Sequence, residues 1–177
     1  MRISSKPNPI ETISKLDAAR RQLDSAISLY FQESDPVVVH TLACAAHQII
    51  HDINKSKGST DLLYEKFRTR GFTTAQINKH YNFFKHADKD PDPNGEIEFN
   101  PKFTEIFILF AIRGLSELGI TYSQKMTAFS LFAQISNPRI STLNKFIHDS
   151  IQVDAFVNIR WVKRSEFLDI FLRTWRQ

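Results

Sequence analysis

A chain of 177 residues, 42% hydrophobic and 24% charged, has the size and composition of one packed domain. That excludes a disordered or fibrous protein and removes any need for a disulfide or structural metal to hold the fold. A net charge of +4 is too mild to demand a nucleic-acid partner, the single cysteine predicts a reducing cytoplasm, and no apolar run is long enough to cross a bilayer.

Residues 1–9 read as a flexible tail, residues 10–136 as a helical bundle, and residues 137–177 as a smaller C-terminal helical extension packed on it. Only five glycines occur, and all but Gly114 fall between periodic segments, as in a helical protein. Ile13, Leu16, Leu23, Ile27 and Tyr30 recur at steps of three and four or their multiples and predict a first helix that ends before Asp35. "SDPVVVHTLACAAHQIIHDI" opens a second, with Asp35 as cap and Pro36 in the first turn. Leu42, Ala46, Ile49, Ile50 and Ile53 share one face of it, and His40, Cys44, His47 and His51 stand opposite. That opposite face is expected to be solvated or hydrogen-bonded to a neighbouring helix.

"STDLLYEKFRTRG" predicts a short third helix closed by Gly71. A fourth starts at a capping box, Thr73 with Gln76, stapled by Phe72 against Ile77, and runs to about Asp88. Phe103 to Leu118 is apolar almost all round, a central helix in which Arg113 requires an acidic or carbonyl partner. A helix over about 123–135, then "STLNKFIHDSI" and "SEFLDIFLRTWR", complete an all-α, antiparallel four- or five-helix bundle with its extension.

Between the fourth and the central helix lies "KHADKDPDPNGEIEFNP". Asp90, Asp92, Asn94 and Gly95 match the opening of a calcium loop, but Pro101 stands where the closing glutamate belongs. The stretch therefore reads as a shaped turn, with Asn100 capping the next helix and Pro101 in its first turn. His47 and His51, four apart, suit a transition metal only if His86 or Asp88 comes to meet them. No metal site or cofactor is assigned. The candidate catalytic set is Asn82, Lys85, His86 and Asp88: a histidine for proton transfer, a lysine for phosphate and an aspartate to orient the imidazole. The same residues also suit an ordinary solvated helix face. Arg160, Lys163, Arg164, Arg173 and Arg176, beside Trp161 and Trp175, form the candidate RNA-binding set.

"HTLACAAHQIIHDI" together with "NFFKHADKDPD" resembles a family of small, uncharacterised bacterial helical proteins, over about Leu16 to Leu118. More remotely the helical pattern resembles the HEPN superfamily of toxin, antiphage and RNA-processing domains. That resemblance implies binding of RNA or a protein partner and a homodimer. Catalytic HEPN domains cleave RNA without metal through an arginine, often a polar neighbour, and a histidine four to six residues on. Asn82 and His86 match the last two, and Tyr81 occupies the arginine's place. A phenol does not replace a fixed cation against developing phosphate charge. The resemblance therefore implies a binding module first, and a ribonuclease using His86 second.

Overall fold

The computed structural model describes residues 10–59, 62–88, 91–137 and 163–175. Eight helices and no strand occur among them, so the protein is an all-α bundle. The expected tail, Asp90 of the calcium-like loop and the "STLNKFIHDSI" segment lie outside the described residues.

Helix α1 spans Lys15–Phe31, begun by Ser14, whose side chain accepts the Asp17 N–H. Ile13 therefore precedes the helix and is exposed, while Leu23, Ile27 and Tyr30 are buried. Helix α2 spans Pro36–Ser56, and the Asp35 carboxylate accepts the amides of Val37 and Val38 at 2.8 and 3.3 Å. A four-residue connection turns α2 back along α1, and α2 packs on α1 along one side and on the central apolar helix along the other. This position covers both faces of α2. His40, Cys44 and His47 are buried on one, Ala46 and Ile50 are buried on the other, and Leu42, Ile49 and Ile53 are partly covered.

Helix α3, Leu62–Arg68, stops at Gly71, whose φ of +84° closes the turn. The fourth predicted helix is two: α4, Thr74–Ile77, and α5, Lys79–Lys85, broken at Asn78. The reciprocal Thr73–Gln76 capping box starts α4 as expected. Helix α6, Phe103–Glu117, buries eight of its fifteen residues. It begins two residues later than the cap reading implied. The Asn100 side chain accepts the Lys102 N–H and its carbonyl accepts the Phe103 N–H, forming a turn ahead of the helix. Arg113 finds its partner one turn on, with Nε 3.5 Å from the Glu117 carboxylate.

Helix α7, Gln124–Ser136, is capped by Ser123, which also donates to Asp24 and so ties the start of α7 to α1. Helix α8, Arg164–Thr174, lays Phe167 and Phe171 into the core, the Phe167 ring stacking on Phe31 at 5.7 Å and meeting Phe132 edge-on. None of the described helices is long and apolar enough to cross a membrane.

Candidate functional site

The four residues predicted as catalytic sit at the end of α5. His86 leaves the helix in an extended conformation, its N–H still donating to the Asn82 carbonyl at 3.0 Å. Its Nδ1 lies 3.6 Å from an Asp88 carboxylate oxygen, and both side chains are exposed. An aspartate so placed can orient an imidazole. Lys85 does not join them: its ammonium rests 5.0 Å from the centre of the Tyr81 ring. Tyr81, at the position of the HEPN arginine, is 8% exposed and belongs to the core. The corner thus presents an exposed histidine with an aspartate nearby and, among the described residues, no arginine at the HEPN position. In the following loop Asp92 accepts the Asn94 N–H, as a turn former does, and among the described residues no three His, Cys, Asp or Glu side chains gather to hold a metal ion.

The other histidines form a separate buried cluster. His40 Nδ1 shares a hydrogen bond of 2.9 Å with Thr104 Oγ1, and its Nε2 lies 3.4 Å from Cys44 Sγ. A neutral imidazole donates at one nitrogen and accepts at the other, so this arrangement satisfies the ring. Phe99, Phe107 and His80 surround it, while His47 and His51 stack on each other and meet Tyr64 edge-on. Burial, helped by neighbouring His80, pushes His40 down to about 4. Burial, helped by His51, pushes His47 down to about 3. Both rings are neutral at pH 7, and burial raises the Cys44 thiol, so none of the three is a proton-transfer group or nucleophile near neutrality. The cluster is a polar seam in the core.

His80, which donates from Nε2 to the Glu98 carbonyl at 2.9 Å, was not singled out from the sequence. The signal was present: it stands three after Ile77 and four before Phe84, on the inward stripe of this segment.

Of the C-terminal cations, Lys163, Arg164 and Arg173 lie among the described residues. The Arg164 guanidinium lies over the Tyr30 ring at 4.5 Å and 3.8 Å from Glu33. It thereby ties α8 to α1, one wall of a cleft of about 370 Å³ where Tyr30 also donates to Glu105. Lys163 and Arg173 are exposed but ~15 Å apart along the helix axis. Arg160 and Arg176 lie outside the described residues.

A concentration of cations the sequence reading passed over lies on the short helices instead. Residues 65–87 carry Lys66, Arg68, Arg70, Lys79 and Lys85 against the single carboxylate of Glu65, and all five are exposed. Lys66 extends over the Phe110 ring of α6 at 6.0 Å, and partial burial together with Arg113 and Arg70 holds its ammonium below the usual lysine range. Beside this layer a cleft of about 450 Å³ opens between α3, α4 and α6, with Phe67, Phe72, Ile77 and Phe103 among its walls. No family model, curated protein or solved structure matches the chain.

Proposed function

We propose that the protein is a HEPN-like helical module that binds single-stranded RNA, taking the phosphates on the α3–α5 layer. The observation that carries this reading is the placement of charge: five exposed cations on α3, the turn after it and α5, against Glu65 on α3 and Asp88 just past α5. Phosphate neutralisation by such side chains supplies most of the sequence-independent affinity of proteins for nucleic acids. The burial of Tyr81 where the HEPN pattern has its arginine supports binding without cleavage.

Anisotropy of a short labelled single-stranded RNA tests it. With three or four phosphate contacts, log affinity should fall against log salt with a slope of about −2 to −3. Reversing Lys66 and Arg70 to glutamate should weaken binding about tenfold or more and flatten that slope, whereas reversing Lys163 and Arg173 should change it less than about twofold. Absence of RNA binding at low salt, or equal effects of the two pairs, would sink the proposal.

A metal-independent ribonuclease is the second reading, favoured by the approach of Asp88 to His86. If the protein degrades the RNA in chelator and His86→Ala abolishes that, the enzyme reading replaces the binding one.

A further inference from the structure

The backbone on both sides of Phe72 is held. Gly71 donates to the Arg68 carbonyl and Phe72 to the Phe67 carbonyl, the paired bonds of a Schellman stop for α3. One residue later, the Thr73–Gln76 box fixes the start of α4. The hydrophobic contact that accompanies such a stop is also made, with the Phe67 and Phe72 rings 5.7 Å apart. Phe72 nonetheless remains 48% exposed. The result is a large apolar ring whose backbone is fixed by two capping motifs and about half of which stays at the surface.

That ring lines the 450 Å³ cleft, whose other walls include Phe67, Ile77, His80, Phe103 and Ile106. The rim is polar in one sense. Gln76 commits its oxygen to the Thr73 amide, and Asn100 commits its oxygen to the Lys102 amide. Each amide therefore keeps its NH2 group to donate. Lys102 adds an ammonium to the same rim, and Arg70 stands two residues before Phe72. An occupant matching these walls has flat apolar faces, hydrogen-bond acceptors along its edge and an attached negative charge.

We propose that this cleft seats one unpaired base of single-stranded RNA, stacked on Phe72, with its edge acceptors toward Gln76 and Asn100 and its phosphate toward Lys102 and Arg70. Every base has an aromatic face and edge acceptors, so the seat reads the unstacked state more than the sequence. The inference rests on the RNA-binding reading above and adds to it a place where affinity does not come from charge.

The test compares the protein with Phe72→Ala and Phe72→Leu on three probes: a short single-stranded RNA, the same strand with a run of abasic positions, and a duplex of the same length. Phe72→Ala should weaken binding to the intact strand about tenfold, as loss of one base–aromatic stack does, and leave the salt slope unchanged. The abasic strand should bind the unaltered protein with the same loss and bind Phe72→Ala no worse. Duplex affinity should not respond, because a paired base cannot enter. Phe72→Leu keeps the bulk that packs on Phe67 and should lose affinity like Phe72→Ala, which separates stacking from folding. If the intact strand binds normally but neither variant nor abasic substitution weakens it, the cleft is not a base seat and RNA binding by the basic layer stands. If the unaltered protein binds no RNA, both fall.

Discussion

Gly114 shows how much of this core is decided by single atoms. A Cβ at that position would come within 2.5 Å of Ile50 Cγ2 and 3.1 Å of Asn54 Nδ2 on α2. The bare backbone allows α2 and α6 to touch, and the buried Asn54 amide then donates across the contact to the Gly114 carbonyl at 3.0 Å. Gly114→Ala gains about 1 kcal/mol of helix propensity. It loses about 1–3 kcal/mol to overpacking, because Ile50 is itself buried and has little room to move. The expected result is a net loss of about 1 kcal/mol, seen as a lower urea midpoint at unchanged m; a higher midpoint would show that the helices separate without cost. Gly114 stood out in the sequence as a glycine inside an apolar helix, but its partners did not. Ile50 and Asn54 lie some sixty residues earlier, and no local pattern encodes which residue of a facing helix meets a gap. The depth of His40 and His47 was not readable for the same reason: periodicity gives the angle between two faces, and only the packing of α2 between α1 and α6 decides that both are covered.

Helix ends were the most legible elements, because a cap is a bargain among neighbours in sequence. Asp35 with Pro36, and Thr73 with Gln76, were readable as starts and Gly71 as a stop, and each is so used. The break at Asn78 was not readable, since its side chain is engaged by Tyr64, fourteen residues away, whose hydroxyl accepts from Asn78 Nδ2 at 2.9 Å. That α1 stops before Asp35 was legible, but the form of its stop was not. Glu33 donates to the Tyr30 carbonyl and Ser34 to the Leu29 carbonyl, a glycine-type stop in which a glutamate holds φ of +56°. A side chain in that region costs about 1 kcal/mol or more, and the half-exposed pair with Arg164 returns only a few tenths. Glu33→Gly should therefore stabilise the protein by about 0.5–1 kcal/mol, and thermal unfolding should show a midpoint raised by a few degrees. A lowered midpoint would mean that the Arg164 tie between α1 and α8 outweighs the backbone strain.

At the scale of the whole molecule, the all-α class followed from apolar stripes and sparse glycine, while the candidate site did not. Of the charge clustered in sequence at the C-terminus, Arg164 is engaged by Tyr30 and Glu33, and a second group of exposed cations is carried by α3, the turn after it and α5. What folding does to charge also sets the response of the molecule to acid. His40 and His47 are held at about 4 and about 3 in the folded protein, against about 6.5 when the chain is unfolded. Between those values the unfolded chain binds more protons than the folded one, so stability rises with pH. The contribution is fully present above the unfolded value and drains away as pH falls from about 6.5 toward 4. Linkage puts the loss between pH 7 and pH 5 at about 2 kcal/mol for each histidine, a large share of the stability of a domain this size. Ordinary carboxylates titrate mostly below that window, which leaves it to the histidines. Urea unfolding at pH 7, 6 and 5 should give a falling midpoint, and His40→Asn should shallow the fall by about half while lowering the midpoint at pH 7, where the Thr104 and Cys44 contacts are weakened. A midpoint flat from pH 7 to 5 would mean that acid reaches these rings with α2 still in place, and the buried seam would then be an open one.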